Sequence, residues 1–369
     1  MKKNPIFWCG IFCCLLMPIS SYTQDYHVAA YYYPWYNAKH WKEGYIRATF
    51  SSPHLPLLGE YNSNDQDVIK KHIQWSELYG IDSWICSWWG KQKKEDKVIR
   101  QYIMPLLEAS DVQFAVFYES AGLLGMRNGE IVIGASEIEQ LRKDIRYFCK
   151  HYFNHPNYLK INGKPAFFIY LTRAFRGKVE EAFNAIRAEA ANAGYELFII
   201  GDEVFWNRIN AKHVDLLDAL TAYNMHGPWQ FNGFPGQTNF FNAQAQKYAS
   251  AQEVVRYRDK AFIPNAMPGF NDQGVRPEAG HYIIPNQQLP GEHHTSTFRT
   301  SLQLAKEYAD PTLNMITITS FNEWHEDTQI EPTISPESIS TPTQNIREYL
   351  YEAYHFDYLQ LIKEIFNEQ

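Results

Sequence analysis

Eight short apolar runs, each followed by a longer stretch of helical character, leave this chain few architectures to choose from. The apolar runs are Val28–Tyr33, Ile81–Ser87, Val112–Tyr118, Pro165–Leu171, Tyr195–Gly201, Ala219–Tyr223, Phe262–Met267 and Met315–Ser320. Between and after them the spacing predicts helices over Asp65–Tyr79, Glu95–Glu108, Ser136–Tyr152, Lys178–Ala193, Ala211–Leu217, Ala243–Arg258, Thr295–Ala309 and Asn345–Phe366. In Asp65–Tyr79, for instance, Val68, Ile69, Ile73 and Trp75 recur at helical spacing and Gly80 follows as a stop. Ser136 with Glu139 reads as a capping box, and Pro105 should disturb the second helix. Strand and helix alternating eight times is the pattern of a closed α/β barrel, so the expected fold is a single (β/α)8 TIM barrel with extended loops after the strands. An open doubly wound sheet would carry a glycine fingerprint after its first strand, and here that position reads Tyr32-Tyr33-Pro34-Trp35-Tyr36.

The 369 residues divide into a leader and one domain. Lys2 and Lys3 precede an apolar stretch from Ile6 to Ile19 that is too short to span a bilayer, with small residues at Ser20 and Ser21. Residues 1–24 therefore read as a signal peptide and 25–369 as the barrel domain. Export to the periplasm, cell surface or medium is expected. A lipid anchor is disfavoured because no small residue directly precedes Cys9, Cys13 or Cys14. Cys86 and Cys149 remain, and they read as buried free thiols. The net charge of -7, with no basic run, speaks against nucleic acid as a partner.

In a parallel barrel the chemistry sits where the strands end at their C-terminal side. The residues found there are acidic and aromatic: Tyr32, Tyr33, Trp35 and Tyr36; Trp88 and Trp89; Tyr118 and Glu119; Tyr170 and Arg173; Asp202, Glu203 and Trp206; Tyr223, Asn224 and His226; Asn271, Asp272 and Arg276; and Asn322 to Glu326. No phosphate cradle, nucleophile elbow or Schiff-base lysine is visible. Carboxylates between aromatic walls suit glycoside hydrolysis, in which one carboxylic acid protonates the departing oxygen and a second carboxylate assists at the sugar ring. Aromatic residues make up 16% of the chain, which supplies sugar-facing rings as well as a core. Glu323 and Glu326, three apart after the last strand, are the candidate catalytic pair. Two carboxylates held close cannot both ionise easily, so one should serve as the acid. Tyr32, Trp35, Trp88, Tyr118, Tyr223, Asn224, His325 and Arg276 are the candidate substrate-binding residues. No cofactor is expected. His325 lacks the further ligands that a mononuclear metal site needs, and the neighbours His293 and His294 are poorly placed to share one ion.

Ser320-Phe321-Asn322-Glu323-Trp324-His325-Glu326-Asp327-Thr328-Gln329-Ile330-Glu331-Pro332 resembles the hallmark of glycoside hydrolase family 99, which contains endo-α-1,2-mannosidases and endo-α-1,2-mannanases. Tyr31-Tyr32-Tyr33-Pro34-Trp35-Tyr36, Leu58-Gly59-Glu60-Tyr61, the segment from Gly80-Ile81-Asp82 to Trp88-Trp89-Gly90, His155-Pro156-Asn157-Tyr158 and Gly163-Lys164-Pro165 are similar to further motifs of that family. The resemblance runs from about Tyr31 to Pro332. It implies retaining, endo-acting cleavage of α-1,2-mannosidic bonds in mannan or a mannose-rich oligosaccharide. It also implies a division of labour: Glu323 removes the proton of the mannose 2-hydroxyl, whose oxygen forms a 1,2-anhydro sugar, while Glu326 protonates the leaving oxygen and later activates water. In an α-mannoside the axial 2-hydroxyl lies trans to the leaving group, so that internal attack is stereochemically open. The chain departs from the motif at Asp327, where a glycine is common. The competing reading is a non-catalytic glycan-binding or polysaccharide-synthesis-associated barrel domain. The presence of both Glu weighs against it.

Overall fold

The computed structural model describes residues 25–42, 54–226, 229–276, 281–335 and 353–367. The expected leader, residues 1–24, lies outside them, as do residues 345–352 of the expected closing helix. The barrel strands are β1 His27–Tyr32, β2 Ser83–Trp88, β3 Gln113–Tyr118, β4 Lys164–Ile169, β5 Phe198–Asp202, β6 Ala219–Thr221, β7 in two pieces, Ala261–Ile263 and Asn265–Ala266, and β8 Met315–Ile318. All neighbours pair parallel, and β1 pairs both β2 and β8. Closure passes through β7. Its first piece pairs with β6 and its second with β8. Pro264 separates the pieces because it has no N–H for the ladder, yet its carbonyl still accepts from the Thr317 N–H at 2.9 Å. The order is therefore a closed eight-stranded cylinder, as the alternation predicts.

Around it lie α1 Gln66–Tyr79, α2 Lys94–Val98 continuing through Ile99–Ile103 and Met104–Leu107, α3 Ala135–His151, α4 Val179–Asn192, α5 Ala211–Val214, α6 Gly233–Arg256, α7 Ser296–Tyr308 and α8 Asp357–Phe366. The ends follow local chemistry. Asp65 caps α1 by accepting from the Asp67 N–H at 2.9 Å, and Gly80 ends it at φ 77°, a left-handed turn that only glycine adopts freely. Residues Ile99–Ile103 of α2 form a π-helical turn just before Pro105, whose ring nitrogen cannot bond back to Gln101.

Two helix starts differ from expectation. The capping pair of α3 is Gly134 with Glu137, whose Oε2 accepts from the Gly134 N–H at 2.9 Å, and Ser136 donates to Glu137 instead. Helix α6 begins at Gly233 rather than Ala243, because Pro235 falls in its first turn, where no N–H is needed. Cys86 and Cys149 are buried free thiols. No helix among the described residues is long and apolar enough to cross a membrane.

The phase of the strands decides which side chains reach the lumen. Successive residues on a strand point to opposite faces. Tyr31 points inward, its ring 4.7 Å from Phe117 and 4.9 Å from Tyr223. Tyr33, Ser87, Glu119, Asp202 and Thr317 share this inward phase. Tyr32, Trp88 and Tyr118 point outward into the helix layer. Tyr32 stacks on Trp84 at 4.4 Å and its hydroxyl meets His72 Nδ1 at 2.9 Å. Trp88 donates to Asp96 Oδ1 at 3.0 Å, and Tyr118 donates to Asp144 Oδ2 at 2.8 Å. All three side chains are spent on holding helices to the barrel. They stand one residue out of phase with the substrate-binding role expected of them and are structural positions instead.

Candidate active site

The end of β8 is built by contacts to the end of β1. The Phe321 N–H donates to the Tyr31 carbonyl at 2.7 Å. Asn322 then clamps Tyr33 from both sides, accepting from its N–H at 2.7 Å and donating to its carbonyl at 3.1 Å. The Tyr36 hydroxyl donates to the Asn322 carbonyl at 2.7 Å and accepts from the Trp324 N–H at 3.0 Å. The turn carrying Glu323 to Glu326 is thus fixed at Phe321, Asn322 and Trp324. Asp327 sits at φ 51°, in the left-handed region. The turn that favours glycine is therefore present, carried by a residue type that tolerates it better than most. The Asp327 carboxylate is buried 3.6 Å from His54 Nε2.

The two glutamates are held differently. Glu323 is buried, and its Oε1 accepts from the His325 N–H at 3.0 Å and meets His325 Nδ1 at 2.7 Å. Its Oε2 has no hydrogen-bond partner among the described residues. Glu326 Oε1 accepts from Arg276 at 3.0 Å and Oε2 from the Asn224 amide at 3.2 Å. Burial, and then the neighbouring charge of Glu323, raise the Glu326 pKa above the usual carboxyl range, with Arg276 opposing. Arg276 also pairs with Asp272 Oδ2 at 3.1 Å, which in turn binds His281 at 2.6 Å. Position and charge of Glu326 are therefore set by a chain of groups from β6 and β7.

A third carboxyl group faces the same space. Glu119, at the end of β3, is buried and accepts from Ser87 Oγ at 2.6 Å. Burial pushes its pKa up to about 8; Glu323 and Glu326 add to the rise and the Ser87 hydrogen bond opposes it. Tyr33 and Tyr223 join hydroxyl to hydroxyl across the lumen. The Tyr33 hydroxyl is held far above its usual pKa by burial first, then by Tyr223, Glu119, Glu323 and Glu326. All three carboxyl groups therefore lie within electrostatic reach of the Tyr33 hydroxyl. Trp35 closes one side, its ring 4.6 Å from Tyr33 and 5.6 Å from His325. Asp202, paired with Arg173, accepts from the Tyr223 N–H at 3.1 Å and props that residue from below.

Of the expected site residues, the structure brings Glu323, Glu326, Trp35, Tyr223, Asn224, His325 and Arg276 together. Glu119, a further carboxylate candidate at a strand end, and Tyr33 join them, and so does Ser87, which the apolar pattern leaves inside a strand. Counting alternate residues back from a polar strand end would have placed them: Glu119 inward makes Tyr118 outward. Among the described residues, His293, His294 and Asp357 form a group able to hold a metal ion. Asp357 opens α8 and meets His294 Nε2 at 2.7 Å, a hydrogen bond at a helix start that touches neither Glu323 nor Glu326. The arrangement offers two carboxyl groups with raised proton affinity, Glu326 and Glu119, a third, Glu323, with one oxygen unpartnered among the described residues, and aromatic walls. Acid–base chemistry on a sugar is what such a set can perform.

Comparison with known proteins agrees. The family model of glycosyl hydrolase family 99 matches residues 26–366. A glycoprotein endo-α-1,2-mannosidase-like protein of Danio rerio is 24% identical, covering 94% of this chain and 78% of its own length. The glycoprotein endo-α-1,2-mannosidase of Rattus norvegicus is 21% identical over 89% of this chain and 73% of its own. The solved GH99 endo-α-mannosidase of Bacteroides thetaiotaomicron superposes with a TM-score of 0.64 at 21% identity, covering 93% of this chain and 96% of that one. With the family match spanning the whole barrel, this chain belongs to glycosyl hydrolase family 99 and is a glycoside hydrolase.

Proposed function

We propose that this enzyme cleaves internal α-1,2-mannosidic bonds of α-mannan or a mannose-rich oligosaccharide, with retention, through a 1,2-anhydro sugar. The observation that carries the reading is the unequal holding of two carboxyl groups from one turn. Glu326, with its raised pKa, is suited to donate a proton to the leaving oxygen and to recover it from water in the second step. Among the described residues Glu323 Oε2 has no partner, which suits abstraction of the proton from the substrate 2-hydroxyl. His325 grips the opposite oxygen and fixes the carboxylate's direction. The 2-oxygen, now nucleophilic, forms the bond to the anomeric carbon while the glycosidic bond breaks. No enzyme atom needs to reach that carbon. The names of the relatives support mannose as the sugar and an internal bond as the target. The basic, apolar leader expected at residues 1–24 supports export, and hence a polymer met outside the cytoplasm.

Incubation with an α-1,2-linked mannan tests this directly. Oligosaccharides whose new reducing end appears first as the α-anomer by NMR are expected. Release of single mannose units alone would contradict endo action, and a β-anomer appearing first would contradict retention. Chelation by EDTA should leave turnover unchanged; loss of activity restored by one added metal would require a different chemistry.

A further inference from the structure

Beside the barrel mouth the rim opens into a groove of about 690 Å³. Trp89 belongs to both spaces. Its indole N–H donates to Ser87 Oγ at 2.9 Å, the same hydroxyl that donates to Glu119, and its ring lies 6.2 Å from Trp35. The ring rests on Gly122, where a Cβ would come within 2.5 Å of it, and it is 36% exposed. Beyond Trp89 the groove is lined by Lys91, Lys93, Lys143 and Lys150, with Tyr147 at its base. The four lysines are exposed, and none forms an ion pair among the described residues.

Four acidic groups nearby have hydrogen-bond or ion-pair partners other than these lysines. Asp144 accepts from Tyr118 and Gln140, Asp96 accepts from Trp88, Tyr147 and Tyr152, and Glu139 and Glu189 hold Arg146. Elsewhere on this surface lysines do find carboxylates, as in Lys70–Asp67, Lys164–Glu196 and Lys178–Glu181. Burial and the charges of Arg100, Lys150 and Lys91 hold the His151 imidazole below its usual pKa, with Asp96 opposing, which is the mark of a locally positive field. A chain of net charge -7 thus keeps, beside Trp89, a strip of four lysines with no direct ion pair among the described residues.

We propose that this groove is a subsite for a phosphate ester carried on the glycan close to the bond being cleaved. The inference rests on the mannan-directed reading of the site. Trp89 offers a flat face to a neutral sugar ring as the chain leaves the mouth. The lysines beyond it are compact charges on flexible stems, able to gather round a group with several anionic oxygens. A uronic acid carboxylate has fewer acceptor oxygens and gains less from four ammonium groups. A neutral branch gains nothing from them.

The test compares a phosphorylated α-mannan with the same polymer stripped of phosphate, using the intact enzyme and the variant K143Q/K150Q. Both lysines stand on the exposed face of α3, away from Glu323 and Glu326. The native enzyme should show a several-fold lower KM on the phosphorylated polymer at low salt, shrinking at about 0.5 M salt. The variant should lose about 2- to 5-fold of that preference per lysine, with kcat/KM on the stripped polymer unchanged. Equal KM values on the two polymers, or a preference that survives both substitutions, would overturn the proposal. An equal gain with uronate-bearing oligosaccharides would overturn the assignment to phosphate. If neither polymer is cleaved, the mannan-directed reading fails instead. Calorimetric titration with mannose 6-phosphate against mannose then decides the groove: tighter binding of the phosphate that is lost in K143Q/K150Q supports it, and no difference ends it.

Discussion

Glu331 and Glu326 stand five residues apart in one segment, and the molecule treats them oppositely. Glu331 faces the helix layer and is entirely buried. Its Oε1 meets His72 Nε2 at 3.0 Å, and its Oε2 accepts from the Tyr61 hydroxyl at 2.8 Å and the Trp324 indole at 2.9 Å. Tyr32 completes the set from the far side of His72. Both oxygens of Glu331 are consumed by protein groups. Glu326, Glu323 and Glu119 face the lumen with fewer partners, crowded by each other's charge. A carboxylate saturated with donors is scaffolding, whereas Glu326 and Glu119, buried and pressed by neighbouring charge, hold a proton above the usual carboxyl range. The shared segment therefore ties the scaffold to the chemistry: Trp324, between Glu323 and His325, is itself a donor to Glu331.

The largest effects should come from the lumen side. Glu323→Gln and Glu326→Gln should each lower turnover of an α-1,2-mannoside by about 10²- to 10⁴-fold, the usual worth of a general acid or base. Their melting temperatures should stay close to that of the parent. A large fall in stability for either would move it to the scaffold. Glu331→Ala should invert the pattern. It strands three buried donors and should cost about 3–5 kcal/mol in denaturant unfolding. If stability were unaffected, the helix-facing network would not be what holds the β8 end.

A smaller contrast separates two neighbours on β1. Tyr32→Phe should cost about 1 kcal/mol of stability through the lost bond to His72 and leave kinetics unchanged. Tyr33→Phe should reduce kcat/KM, because its hydroxyl stands among the three carboxyl groups. Equal kinetic effects of the two would contradict the inward and outward assignment. Glu119 supplies the subtlest test. Folded, it keeps its proton up to about pH 8, whereas in the unfolded chain it ionises near its ordinary value of 4.5. The folded state then holds the extra proton between those values, so its stability falls as pH rises through that window. Glu119→Gln should flatten that fall, as measured by denaturant melts at about pH 5 and pH 8. An unchanged slope would show that another group is responsible.

These contrasts also mark how far the amino-acid sequence could be read. The eightfold alternation, the strand ends and the Glu323–Glu326 pair were legible because apolar runs, helix stops such as Gly80 and a dense polar cluster are local signals. The strand phase was not. In a parallel barrel both faces of a strand are covered, so a run such as Tyr31-Tyr32-Tyr33 is apolar on both sides and carries no polar alternation to fix it. Tyr32, Trp88 and Tyr118 were misplaced together for that reason. The split of β7 at Pro264 and the early start of α6 depended on tolerated prolines, whose effect is set by neighbouring elements rather than by spacing. The role of Arg276 as the brace of Glu326, joined to Asp272 and His281, needed three dimensions.

The most direct test of the division of labour compares a poor with a good leaving group on both variants. A mannosyl-α-1,2-linked substrate needs its departing oxygen protonated, whereas a glycosyl fluoride or an activated phenol does not. Glu326→Gln has lost the proton donor only, so a good leaving group should restore much of its rate. Glu323→Gln has lost activation of the 2-oxygen, the nucleophile itself, and a good leaving group should restore far less. Rescue of Glu323→Gln with no rescue of Glu326→Gln would exchange the two roles, and full turnover in both variants would leave the strand-eight carboxylates without a part in catalysis.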